Sequence, residues 1–132
     1  MTDQSAPESP QPEPPQPSAP PSADKPLIPY DVFAQVDLRV ATVLEAREHP
    51  NANKLLLLQI QVGDVRKQIV AGIRGHYEPT ALVGRQIIIV NNLEPAMLRG
   101  EESNGMLLAA TDEKGVVLLR PDREMTSGSK VK

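Results

Sequence analysis

Two polar loops and a few scattered bases hold the groups in this sequence best suited to chemistry. The first loop is Glu48-His49-Pro50-Asn51-Ala52-Asn53-Lys54-Leu55. Its asparagines and lysine can donate to phosphate and sugar oxygens. The same composition also suits an ordinary turn, because Pro and Asn favour turns for conformational reasons alone. The second loop runs from Asn92 through Arg99-Gly100-Glu101-Glu102-Ser103-Asn104-Gly105-Met106 into the apolar Leu107-Leu108-Ala109. Here the Ser103 hydroxyl, backbone N–H groups freed by glycines and the Arg99 guanidinium can cradle a phosphate or a base edge. A long barrel loop, with Ser103 as a local turn partner and Met106 as core packing, accounts for the same residues. Arg66, Lys67 and Arg74 form a third group. Strand alternation sends Arg66 and Lys67 to opposite faces, so at most one of them shares a surface with a given groove.

Catalysis finds no support. The sequence has no nucleotide-phosphate loop, no HExxH and no GxSxG, and its histidines, His49 and His76, stand in loops without a partner at ligand spacing. The acidic pair Glu101-Glu102 reads as a solvated pair, since adjacent side chains point apart. No cofactor is implied. Tyr30, Phe33 and Tyr77 are the full aromatic complement. Single-strand binders on small barrels stack bases on aromatic platforms, so this scarcity points to recognition of a folded RNA by shape and backbone. Tyr77 is the one stacking candidate, and Phe33 reads as core or interface.

Charge narrows the mode of binding further. The formal net of −3 arises from Asp3, Glu8, Glu13 and Asp24 against Lys25, leaving thirteen acids and thirteen bases in the remainder. A neutral domain cannot hold nucleic acid by a diffuse basic field, so affinity must come from a few clustered bases and depend on salt.

The elements that must position these groups begin near Tyr30. Ten of the fourteen prolines lie between Pro7 and Pro29, whereas all eight glycines follow residue 62. Residues 1–29 are expected to be a disordered proline-rich leader, too poor in apolar surface to offset its ordering entropy, and residues 30–132 the folded domain. The N-terminus is acidic and polar, unlike a secretory signal. No apolar run approaches the roughly 18 residues that span a bilayer, and cysteine is absent. A cytoplasmic protein with no membrane partner is the expectation.

Alternation of Val36, Leu38, Val40 and Leu44 with Asp37, Arg39 and Glu45 predicts a half-buried strand. Leu55 to Val62 and Arg66 to Ile73 flank Gly63-Asp64 as a hairpin. Pro79 and Gly84 bracket one short helix within 78–83. Gln86 to Val90 is apolar on both faces, as a central strand or a partner-covered one would be. Further strands are expected at Met106 to Ala110 and Val116 to Leu119. This order fits an all-β fold, an OB-type five-stranded barrel with a short helix and a C-terminal β extension. Ile87 to Val90 and Val116 to Leu119 also offer more apolar surface than one small barrel readily buries, a motive for a homodimer.

The stretches "DVFAQVDLRVATVLEAREHPNANKLLLLQIQVGD", "QIVAGIRGHYEP" and "NNLEPAMLRGEESNGMLLAA" resemble, in order and spacing, the tRNA-binding domain family. That family includes the C-terminal appendix of many methionyl-tRNA synthetases and a standalone bacterial tRNA-binding protein. The resemblance covers residues 31–132. It implies a non-catalytic, OB-fold, homodimeric module that binds tRNA by its shape, in cis or in trans to a synthetase. Carried over by position, the RNA-contacting residues are Asn51, Lys54, Arg74, Ser103 and Met106, with Arg99 as the basic residue before the loop glycine. The proline-rich leader is atypical, and Glu101-Glu102 beside the contact loop would repel phosphate. An export-related chaperone branch, using an apolar groove for unfolded chains, and a domain serving mainly dimerisation are the alternatives.

Overall fold

In the computed structural model, residues 25–132 are described. The leader expected at 1–29 falls outside them as far as residue 24. The chain begins its regular structure with a single helical turn, α1 (Tyr30–Phe33), and then enters β1 (Leu38–Glu48), the longest strand. β1 starts later than the alternation predicts, because Gln35 and Val36 close turns onto Val32 and Phe33. It also runs four residues past Leu44. A bulge between Val43 and Glu45 lets the strand bend and change partners, as bulges do. Its first half pairs with β4 (Gln86–Val90), its second with β2 (Leu56–Val62), and Thr42 pairs with both.

β2 and β3 (Val65–Ala71) form the expected hairpin, with Val62 opposite Val65 and a two-residue turn at Gly63-Asp64. Gly63 has a φ of 62°, and glycine first in such a turn matches the right-handed twist of the flanking strands. α2 (Pro79–Leu82) has its proline in the first turn and puts Leu82 fully into the core. Gly84 follows at a φ of 88°.

Beyond β4 lie two short hairpins, β5 (Ala96–Leu98) with β6 (Glu101–Ser103) and β8 (Ala109–Asp112) with β9 (Gly115–Leu118), and between them β7 (Met106–Leu107), which pairs with β4. The strand expected at Met106 to Ala110 is broken at Leu108. Leu108 donates its N–H to Ile88 and accepts from the Leu119 N–H, so the chain leaves β4 for β9 there. A final strand, β10 (Lys130–Val131), returns to the start of β1.

The main sheet has the order β3-β2-β1-β4-β7, the succession of an OB-type barrel. Its open edges meet where the Asn104 N–H donates to the Gln68 carbonyl at 2.8 Å. The fold is therefore all-β: a curled five-strand path with a short helix and a C-terminal β extension, as the sequence predicts. Ala41, Val43, Leu56, Leu58, Ile60, Ile69, Ile73, Leu82, Ile87, Ile89 and Leu118 fill the interior. The expectation that Ile87 to Val90 is surplus apolar surface is corrected: even Ile88 and Val90 are only 8% exposed within the single chain. Val117, 60% exposed, and Leu119 do remain open.

At the entry to β1, Asp37 gathers the ends of two strands. Its carboxylate accepts from Arg39 Nε at 2.7 Å and from Asn91 Nδ2 at 3.1 Å. The Arg39 hydrogen bond first, and the Asn91 bond second, hold its pKa below the ordinary carboxylate value. The backbone joins in, with the Asn91 N–H donating to the Asp37 carbonyl and the Asp37 N–H to Asn92 Oδ1.

Candidate nucleic-acid interface

The two polar loops are one surface, fastened by a histidine. The 49–55 loop closes on itself when the His49 N–H donates to the Leu55 carbonyl. The His49 ring is 2% exposed. Its Nδ1 accepts the Asn51 N–H at 2.9 Å, so in the neutral ring the proton sits on Nε2. That proton is donated to the Leu98 carbonyl, 2.9 Å away on β5. The imidazole thus ties the loop after β1 to the β5–β6 hairpin.

Arg99 makes the same connection from the other side. It occupies the first turn position of that hairpin at a φ of 54°, followed by Gly100 at 91°. Two consecutive positive φ values are the signature of a type I′ turn, in which Asn-Gly is the favoured pair. Arg99 is the one non-glycine residue with positive φ among the described residues. Its Nη2 donates to the Asn51 carbonyl at 3.1 Å.

Arg74 lies beneath the first loop rather than on it. Its guanidinium donates to the Ala52 carbonyl at 2.9 Å and to Glu48 Oε1 at 2.9 Å, and its N–H donates to the Lys54 carbonyl. As placed, it shapes the loop that presents Asn51 and Lys54, both of which lie at the surface or partly so. Ser103 is also turned inward. At 5% exposure, its Oγ accepts the Val70 N–H and donates to the Gly105 carbonyl. Its hydroxyl is thereby committed to joining β6 with β3. Met106 is 48% exposed on the outward side of β7, opposite Val90, so the core-packing alternative for it does not hold. Of the six candidates, Asn51, Lys54 and Arg99 form a joined outward patch, Arg74 and Ser103 support it, and Met106 stands beyond Gly105.

Between these parts runs the outer face of β2 and β3. Gln59 donates to Gln68, and Gln68 donates to Glu101 Oε1 and the Glu102 carbonyl, so a ladder of amides leads from the sheet to the hairpin. The acidic Glu101 is hydrogen-bonded back onto the sheet. Arg66 and Lys67 do part to opposite faces: Arg66 reaches Glu45, while Lys67 donates to Asn91. Tyr77 is not a stacking platform. Its hydroxyl accepts the Leu118 N–H at 3.0 Å, and Arg85 covers the ring at 5.7 Å from its centroid. The sequence reading missed His49 as a fastener and the β5–β6 hairpin altogether; the Arg99-Gly100 step was the available signal for that turn.

The family model described as "Putative tRNA binding domain" matches residues 38–130. The methionine–tRNA ligase of Thermotoga maritima is 53% identical over 110 residues, and that of Methanothrix thermoacetophila 51% over 105. These alignments cover 83% and 80% of this chain but only 18% and 16% of the ligases. The chain spans less than a fifth of the curated relatives it matches. Among solved structures, the MetRS-related protein of Pyrococcus horikoshii superposes with a TM-score of 0.76 at 33% identity, covering 82% of this chain and all of that one. The chaperone CsaA of Bacillus anthracis gives 0.74 at 33% identity, covering 81% of this chain and all of that one. No helix among the described residues is long and apolar enough to cross a membrane. With a family model spanning nearly the whole barrel and a solved relative matched end to end, the chain belongs to the tRNA-binding domain family.

Proposed function

We propose that this domain is a non-catalytic module that captures folded tRNA by its backbone and shape and delivers it to a methionyl-tRNA synthetase, in cis or in trans, in the cytoplasm. The observation that carries this reading is the fastened pair of loops. His49 and Arg99 fix Asn51 and the β5–β6 turn in one frame before any ligand arrives, and the Arg74 N–H holds the Lys54 carbonyl beside them. A rigid frame of donors suits a rigid, folded polyanion better than a flexible strand. With few bases engaged and a neutral domain, affinity is modest and depends on salt, each phosphate contact adding roughly 0.7–0.9 to the log–log slope. Fluorescence anisotropy with whole tRNA and with unstructured RNA of equal length, over a salt series, tests this. Tighter binding to tRNA with a measurable slope supports it; equal binding to both, or no slope, refutes it.

A second reading has its own observation. CsaA, described as a chaperone, matches this barrel along its whole length, and Val117 and Leu119 are open apolar residues on the C-terminal extension. Suppression of aggregation of an unfolded client, with no retention of tRNA, favours that reading. The same open residues support a homodimer, which light scattering on the isolated chain decides, and two tRNA sites per particle would then raise avidity.

A further inference from the structure

Where Thr42 of β1 pairs with Gln86 of β4 lies a cleft of about 400 Å³ lined by Thr42, Gly84, Arg85, Gln86 and the segment Arg120 to Glu124. Three arginines line it: Arg85, Arg120 and Arg123. Among the described residues, the ion pairs are Arg39–Asp37, Arg66–Glu45 and Arg74–Glu48, so none of the three cleft arginines is neutralised by a carboxylate. Asp122 and Glu124 share the lining and leave it with one net positive charge, in a domain whose charges sum to zero.

The cleft is built rather than incidental. Gln86 grips the C-terminal segment with both ends of its amide, Nε2 donating to the Met125 carbonyl at 2.6 Å and Oε1 accepting the Met125 N–H at 2.8 Å. Arg85 lies over the Tyr77 ring, which is pinned in turn by its bond from Leu118. Farther on, the Gly128 N–H and the Ser129 carbonyl both bond Val40, stitching the segment to β1. Both walls of the cleft are thereby fixed.

The cleft is also continuous with the outer face that leads to the loops. Gln86, Thr42, Gln61 and Arg66 are register partners across β4, β1, β2 and β3, an unbroken polar row on one face. The next outward residues on β2 and β3 are Gln59 and Gln68, and Gln68 holds the β5–β6 hairpin. One elongated polyanion can follow this row from cleft to loops.

We infer that Arg85, Arg120 and Arg123 form a second contact site for RNA phosphates, engaged by the same tRNA that the loops hold. This rests on the tRNA-binding reading above. A guanidinium presents a planar fork of donors that matches phosphate oxygens in pairs, and three forks free of direct ion pairs give this cleft a net positive charge in a neutral domain. Binding across two separated sites also gives shape selectivity, because only a folded RNA of the right curvature reaches both.

The test uses the full chain carrying Arg120→Gln and Arg123→Gln together, both exposed and away from the core. tRNA binding is measured by anisotropy against salt, with circular dichroism to confirm folding. The expected result is a slope reduced by about 1.4–1.8, two phosphate contacts' worth, with affinity at low salt down on the order of tenfold. Asp122→Asn with Glu124→Gln is expected to change both in the opposite direction. If the wild-type chain binds tRNA and the arginine pair leaves affinity and slope unchanged, the second site is overturned while the loop reading stands. If the wild-type chain does not bind tRNA at all, both fall.

Discussion

Replacing Arg99 by asparagine should weaken tRNA binding while leaving stability level or slightly raised. Arg99 sits at a φ of 54° in the first position of the β5–β6 turn, a conformation that costs an ordinary side chain about 1–2 kcal/mol and asparagine considerably less. Arg99→Asn relieves about 1 kcal/mol of that strain. It also removes the exposed hydrogen bond from Nη2 to the Asn51 carbonyl, worth about 0.5–1 kcal/mol net. The two nearly cancel, so the melting temperature is expected to stay level or rise by a few degrees, given about 4–8 °C per kcal/mol for a domain of this size. tRNA binding loses one guanidinium at the tip of the fastened loops, and the salt slope is expected to fall by about 0.7–0.9. Differential scanning calorimetry and anisotropy on the same preparation read both quantities. A melting temperature lowered by more than about 5 °C would refute the strain argument, and an unchanged slope would show that Arg99 is kept for the hairpin and not for RNA.

Three further outcomes follow from the geometry. His49→Ala removes both ring hydrogen bonds and leaves the Asn51 N–H and Leu98 carbonyl without their partner, a loss of about 2–4 kcal/mol by urea unfolding; a loss under 1 kcal/mol would mean the ring is not the fastener. Gly105→Ala places a Cβ 3.1 Å from the Val90 carbonyl at a φ of 155°, where the neighbouring backbone cannot yield, and should cost about 1–3 kcal/mol; a variant as stable as the parent contradicts this. The carboxyl of Asp37 is more acidic in the fold than in the unfolded chain, so its contribution is present above the ordinary value near 3.9 and is lost as pH falls through the lower folded value. The gap in melting temperature between the parent and Asp37→Asn should therefore narrow below about pH 4, and a gap independent of pH would refute the assignment.

How much of this was legible in the sequence depended on whether burial left a pattern. β1, the β2–β3 hairpin and β4 carry alternating or continuous apolar runs, and all were found within a few residues. β5 could not be, because Ala96, Met97 and Leu98 are all exposed and three residues show no period. α1 buries none of its four residues and β10 has only two. The site divides the same way. Composition marks Asn51 and Lys54, since a polar loop advertises itself. The inward turn of Ser103 and the use of Arg74 depend on Val70 and Ala52, partners 33 and 22 residues away, and local spacing holds no trace of such pairings. Likewise, the apolar run at Ile87 to Val90 suggested a partner subunit, whereas its second face is buried within the single chain.

The most direct test is amide hydrogen exchange of the full chain with and without saturating tRNA. If the fastened loops are the binding surface, residues 49–54 and 96–103 are expected to gain protection together, in proportion to bound tRNA and reversibly with salt. Protection confined to one loop, or confined to the apolar C-terminal extension around Val117, would contradict a joined RNA surface.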